Sequence, residues 1–344
     1  MIETNNSQDA RVTFQQLKSL LRAIFVNNRT SSETADILAE NCAACERDGA
    51  LSHGIFRVPG YVDSLRSGWV DGLAVPDVAR LGPSFIRIDA CNGFAQRALA
   101  SADPLIRRTV LETGIAMVAT RNSHHFSALW PDVEPFALSG YLAITAVNGL
   151  ANVVPHGGRQ AVYGTNPFAF AVPVHNAQPL VVDQATSVMA NGEVRLHALA
   201  NRPVPDGAGV DREGNPTTDP HAILAGGALN PFGGYKGSSI ALFVEILAGA
   251  VTGGRFSFEN DFTGFPGVQT PKAGQLLIVI DPNWGGSTNF ESRLALLCAR
   301  LIDAGQDRLP GARRLANRAA AEQFGIPIPI GELQRLRTLA GEGS

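Results

Sequence analysis

Residues 114–137, GIAMVATRNSHHFSALWPDVEPFA, pass from a continuously apolar run through a polar turn with two adjacent histidines into a predicted helix. A short apolar run bounded by turn residues suits a strand covered on both faces. His124 and His125 then fall at the C-terminal end of a strand, where α/β proteins gather ligands. Paired histidines suggest a metal, but no carboxylate or cysteine stands at a convincing ligand spacing beside them. No metal is expected, and the turn reads better as a polar, backbone-rich cofactor contact.

The same pattern recurs on both sides. FIRID (85–89), YLAITAVN (141–148), FAFAVPV (168–174), PLVVD (179–183) and QLLIVID (275–281) read as strands. Helices are predicted after Phe94, over residues 188–200, and in SSIALFVEILAGAVTG (238–253), which reads as largely buried. Towards the N-terminus the spacing turns helical, with Phe14, Leu17, Leu20, Leu21, Ile24 and Phe25 on one face. Thr30 with Glu33 predicts a capping box before a second helix, and VPGYVDSLRSGWV (58–70) predicts a third that stops near Gly68. Residues from 291 onward return to helix, ending in IGELQRLRTLAG. The expected architecture is a mixed α/β body over residues 81–285, with residues 1–80 and 286–344 forming a helical domain from both chain ends.

None of the 36 glycines falls in a G-x-G-x-x-G or a G-x-x-x-x-G-K-[ST] frame. A nicotinamide cofactor, if bound, would sit on a scaffold other than the Rossmann fold. With 344 residues, 45% apolar and 17% charged, the chain is globular. A net charge of −3 without a long basic run points away from nucleic-acid or membrane-surface partners. The N-terminus carries no secretory pattern. Four scattered cysteines, with Cys42 and Cys45 on one predicted helix face, suit a reducing cytosol.

Several stretches concentrate chemistry. GALSHGIFRVPGY (49–61) holds Ser52, His53 and Arg57: an imidazole that titrates near neutral pH and a guanidinium fork shaped for a carboxylate. The same residues could equally be a helix cap, a first-turn histidine and a solvated arginine. His156, Thr165 and Asn166 precede a strand; Asp183 ends one, with Glu193 and Arg195 in reach. Lys236 lies in a glycine-flanked loop before a helix, and Arg308, Arg313 and Arg314 cluster around a Pro-Gly turn. The last two are phosphate-sized basic spots.

SHGIFRVPGY, RNSHHFSALWPDVEPFA, GTNPFAF, VDQATS, PFGGYKGS and GQLLIVIDP stand in the order and spacing of a known family. From residue 12 to residue 342 the chain resembles the malate/L-lactate dehydrogenase-like oxidoreductases, a non-Rossmann NAD(P)H-dependent family. Its HHF, ALWPDVEPFA, PHG, FSFE and RLPG segments are most similar to the Δ1-piperideine-2-carboxylate/Δ1-pyrroline-2-carboxylate reductases. The resemblance implies a homodimer, NADPH as hydride donor with NADH weaker, and a cyclic imine carboxylate as substrate. It makes His53 the proton donor, Ser52 part of its relay, and Arg57 and Thr165 the carboxylate contacts. It makes His125, Phe126, Ser127, Ala128, Leu129, Asp183, Gln184, Ala185, Tyr235 and Lys236 cofactor contacts, together with Arg308, Leu309, Pro310, Gly311, Ala312, Arg313 and Arg314. Glu193 aligns with the relay's aspartate, and it would fix the His53 tautomer and hold its pKa up. Two alternatives share these residues: an NAD-dependent malate- or lactate-type 2-hydroxy-acid dehydrogenase, and a catalytically silent ligand-binding homologue.

Overall fold

A computed structural model describes residues 9–286 and 289–342. The chain begins with strand β1 (Asp9–Val12), helices α1 (Phe14–Asn27) and α2 (Ser32–Arg47), two single 3-10 turns (Leu51–His53 and Ile55–Arg57) and α3 (Val58–Arg66). The body follows with β2 (Asp77–Arg80), β3 (Phe85–Asp89), α4 (Ala95–Thr113), β4 (Ile115–His124), α5 (Trp130–Leu138), β5 (Leu142–Val147), β6 (Phe168–Val172) and β7 (Leu180–Gln184). After α6 (Asn191–Leu199) come the short strands β8 (Gly209–Val210), β9 (Pro216–Thr217) and β10 (Ala228–Leu229), with α7 (Pro220–Leu224) between them. Helix α8 (Tyr235–Glu245) runs into a π-helical turn, Ile246–Val251, before β11 (Lys272–Ile280). The chain closes with α9 (Phe290–Asp303), α10 (Ala312–Phe324), β12 (Ile326–Pro329) and α11 (Ile330–Leu339).

The main sheet has seven strands in the order β2-β3-β4-β11-β5-β6-β7. Only β3–β4 is parallel; the other five pairings are antiparallel. A parallel doubly wound sheet is therefore absent among the described residues, in keeping with the missing glycine fingerprint. The last of these seven strands in sequence, β11, lies at the centre, between β4 and β5. One core packs α4 and α5 on this sheet through Ile86, Ile88, Ile106, Val118, Val133, Phe136 and Leu277. A second core joins the chain ends: Leu17, Leu21, Phe25, Leu38 and Tyr61 pack with Ile326, Ile328, Leu333 and Leu336, and β1 pairs with β12.

Four local expectations need correction. The second helix is capped by Ser31, whose hydroxyl accepts from the Thr34 N–H at 3.1 Å, not by a Thr30–Glu33 box. Serine and threonine cap equally well by type, so neighbouring candidates differ only in backbone angle. The sheet begins at Asp77, inside the segment that a boundary at residue 80 assigns to the helical part. The segment from 238 to 253 is not largely buried. Gly237, Ala241, Val244 and Ala248 face the protein, while Leu242, Phe243, Ile246 and Val251 are exposed. Finally, Arg195 is not engaged with Asp183 but with Gln269, at 2.5 Å.

The π-helical turn lies against β11 where that strand bulges. The register shifts between Ala273 and Gln275, and a Cβ on Gly274 would stand 1.7 Å from the Ala248 carbonyl oxygen. Gly274 also donates its N–H to Asn148 Oδ1 at 2.9 Å. Backbone cannot retreat as a side-chain tip can. Gly274→Ala is expected to destabilise the protein by about 3 kcal/mol, the upper end for overpacking, and the urea midpoint measures it.

Candidate active site

A cleft of about 930 Å³ opens between four stretches of chain: Asp48–His53, Ser127–Trp130, Val181–Glu193 and Gln306–Arg314. That is near the upper end for small-molecule pockets. The Asp48–His53 wall exists because α2 stops at Asp48 and the chain turns sharply through Gly49, at φ +78°. The turn is pinned from below: Glu46 Oε2 accepts the Ile55 N–H at 2.9 Å, and a Cβ on Gly54 would stand 2.1 Å from that oxygen. Burial pushes the Glu46 carboxyl up to about 7.

His53 lines the cleft, with Ser52 Oγ 3.0 Å from its Nδ1. Burial first, then the Arg57 charge and His125, lower its pKa to about 3. This reverses the expectation that Glu193 holds the ring charged. Glu193 Oε2 instead accepts the Ala190 N–H at 3.2 Å, capping its own helix α6, and no carboxylate touches His53 among the described residues. Arg57 stands behind the lining, 8% exposed. Its Nε donates to the Ser52 carbonyl at 2.7 Å and its guanidinium lies 4.2 Å above the Phe126 ring. A Cβ on Gly192 would meet Ser52 Cβ at 3.0 Å and Arg57 Nη2 at 3.1 Å, so α6 can approach this corner only with glycine there.

The turn after β4 divides in two. Ser127, Ala128 and Leu129 line the cleft, but His125 and Phe126 do not. His125 is buried and its Nε2 meets Asp132 Oδ2 at 2.8 Å, an oxygen that also accepts from Gln275 on the central strand. His124 ends β4 between Thr270 Oγ1 (3.3 Å) and Asn92 Oδ1 (3.2 Å), and burial, then Lys272, lowers its pKa to about 3. Both histidine side chains are thus internal hydrogen-bonding groups. Among the described residues no group of three or more potential ligands could hold a metal ion.

On the opposite wall Thr165, Asp183, Gln184 and Ala185 line the cleft. Thr165 is held by its carbonyl, which accepts the N–H (2.8 Å) and hydroxyl (2.9 Å) of Thr186. Asp183 faces the cleft and accepts the Leu129 and Trp130 N–H groups at 2.8 and 2.9 Å. Arg308, Leu309, Pro310, Gly311, Arg313 and Arg314 line the fourth wall, and Ala312 does not. Arg314 is committed to Asp48 (3.1 Å) and Glu134 (2.5 Å) and lies 4.2 Å from the Trp130 ring centre. Arg308 and Arg313 are exposed and form no ion pair among the described residues. Two cations without an acid beside a cleft fit the phosphates of a dinucleotide. Tyr235 and Lys236 begin α8 outside the lining; Tyr235 is exposed against His156, ring centres 6.4 Å apart.

Sequence spacing missed Asp48, Trp130, Val188, Met189 and Phe232, which also line the cleft. Apart from Asp48 they are apolar, and an apolar side chain facing a ligand looks like one facing a core.

A mixed sheet without the Rossmann fingerprint, carrying a His–Arg corner and a dinucleotide-sized cleft, defines a nicotinamide-dependent oxidoreductase of the non-Rossmann kind. The family model described as malate/L-lactate dehydrogenase matches residues 12–337, and the chain belongs to this family. Within it, the chain is 55% identical over 330 residues to the Δ1-pyrroline-2-carboxylate/Δ1-piperideine-2-carboxylate reductase of Pseudomonas syringae pv. tomato, covering 96% of each chain. It is 50% identical to the reductase of the same name from Pseudomonas putida, covering 99% of this chain and 100% of that one. The crystal structure of Δ1-piperideine-2-carboxylate reductase from P. syringae superposes with a TM-score of 0.94 at 54% identity, covering 96% of this chain and 99% of that one.

Proposed function

We propose that this protein reduces Δ1-piperideine-2-carboxylate and Δ1-pyrroline-2-carboxylate to L-pipecolate and L-proline, with NADPH as the donor. The observation that carries the reading is the corner where His53 lines the cleft and Arg57, fixed to the Ser52 carbonyl, stands directly behind it. Identity of 55% to a reductase of these imines favours them over malate or lactate. NADPH supplies the hydride; Arg308 and Arg313 would hold its phosphates, and Asp183, Gln184 and Ala185 would line its path. Arg57 holds the substrate carboxylate, aided by Thr165. This removes the entropy of encounter from the chemical step. Because Arg57 is tied to the 3-10 turn that carries Ser52 and His53, the bound imine nitrogen is presented to the imidazole.

His53 is neutral in the free protein and must gain a proton to give one. The carboxylate that binds Arg57 offsets part of this: it cancels the charge that, after burial, depresses the ring's pKa. Binding should then take up protons, increasingly as pH falls from 7 towards 5. Furan-2-carboxylate, ionised throughout and without a basic nitrogen, is a suitable ligand. Calorimetry in two buffers of different ionisation heat measures the uptake. Zero uptake would remove the coupling between Arg57 and His53.

The function is tested by cofactor oxidation with both cyclic imines, pyruvate and oxaloacetate, each with NADPH and NADH. Fast turnover of the imines with NADPH is expected. Activity confined to the keto acids would make the protein a 2-hydroxy-acid dehydrogenase, and none at all a ligand-binding homologue. A second copy of the chain would cover the exposed apolar side of α8 and its π-helical turn, giving a homodimer. The four free cysteines suit a cytoplasmic setting. No helix among the described residues is long and apolar enough to cross a membrane.

A further inference from the structure

Arg57 and Arg195 come together without an acid between them. Phe126, beneath the Arg57 guanidinium, and Gln269, which accepts from Arg195 Nη1, flank the same residue. A Cβ on Gly60 would lie 2.9 Å from Phe126 Cε1 and 3.1 Å from Gln269 Oε1. On the other side Gly192, three residues before Arg195 on α6, touches Arg57 Nη2. The neighbours of both guanidiniums therefore meet at Gly60, and the Arg195 charge is near enough to act on Arg57.

Neither forms an ion pair among the described residues. Arg57 uses only its Nε, on the Ser52 carbonyl, and Arg195 only its Nη1, on Gln269. Burial, then the Arg195 charge, lowers the Arg57 pKa to about 10, and burial lowers that of Arg195. Like charges placed together and withdrawn from water are unfavourable unless an anion joins them. Elsewhere in this protein half-buried arginines are given acids: Arg314 and Arg318 share Asp48 and Glu134. The contrast marks the Arg57–Arg195 pair as a site kept open for a ligand's charge.

We propose that Arg195 is a second substrate-binding residue, closing with Arg57 on the two oxygens of the substrate's carboxylate. Arg195 thereby sets the preference for an acid over its neutral analogue. The inference rests on the proposed imine-acid substrate, but its test does not depend on turnover.

Affinities of furan-2-carboxylate and its isostere furan-2-carboxamide are measured by calorimetry with NADPH present, for the wild type, Arg195→Gln and Arg195→Lys. The wild type should prefer the carboxylate, and Arg195→Gln should lose about ten- to a hundredfold of that preference, the range of one charge-assisted hydrogen bond. Arg195→Lys, which keeps the charge without the fork, should recover part of it. Free of ligand, Arg195→Gln should melt no lower than the wild type, because a repulsion is relieved. A variant that keeps the wild-type preference, loses both ligands equally or melts lower unliganded would overturn the proposal. So would a wild type that binds neither compound or does not distinguish them. Absence of imine turnover with the preference intact would instead count against the substrate alone.

Discussion

His53→Ala is expected to lower kcat for cyclic imine reduction by about 10²–10⁴-fold, the usual contribution of a positioned proton donor, while the Kd for NADPH stays within about twofold. Three features make this one of the two largest effects. The imidazole lines the cleft, and Ser52 Oγ occupies its Nδ1, leaving Nε2 for the substrate. Glu193 cannot replace it while its carboxylate caps α6. Asp183, also on the lining, is tied to the Leu129 and Trp130 N–H groups. Cofactor fluorescence titration separates this from a folding defect. Wild-type turnover by the variant would take His53 out of the reaction.

The second large effect is on stability. The Asp48 side chain is fully buried and answers Arg47, Arg314 and Arg318, with Glu134 sharing the last two. Burial pushes the Asp48 carboxyl up, but hydrogen bonds from Arg318 and Arg47 and the charges of both arginines outweigh it and hold it low. Asp48→Ala takes the acid from Arg47 and leaves Arg314 and Arg318 with Glu134 alone, and is expected to cost about 3–5 kcal/mol, as breaking a buried ion pair does. The sign of the pH dependence follows. A carboxylate held below its unfolded pKa of about 4 stabilises above that pH and loses its contribution as pH falls through the lower folded value. The gap between variant and wild type, measured by urea unfolding, should therefore be full at pH 7 and narrow below about pH 4. Because Asp48 anchors α10 through Arg314 and Arg318, the variant should also bind NADPH more weakly. A variant as stable as the wild type at pH 7 would show that the cluster contributes no net stability.

These two residues differ in how readily they could be read. His53 lies in a stretch whose residue types, glycine spacing and family resemblance all point one way. Asp48 looks in the sequence like the end of a helix, which it is; nothing local shows that two of its arginines arrive from residues 314 and 318. Glu193 illustrates the opposite failure. Its place in the motif is right, but an N3 glutamate can reach back to its own helix terminus, and here it does. His125 shows how a buried histidine at a strand end takes an internal partner, Asp132, that lies seven residues on and that its residue type alone does not reveal.

The sequence by itself determined the strands and helices of the body, the absence of a Rossmann site, the family, and the stretches that wall the cleft. Those follow from local spacing and from side-chain types in fixed order, which a chain carries before it folds. The tertiary structure decided which titratable groups meet. It set His53 beside Arg57 instead of a carboxylate, gave Arg314 to Asp48 and Glu134, and brought the Arg195 charge to act on Arg57 with no acid paired to either. Charge state depends on burial and on neighbours distant in sequence, and both exist only once the chain has closed on itself.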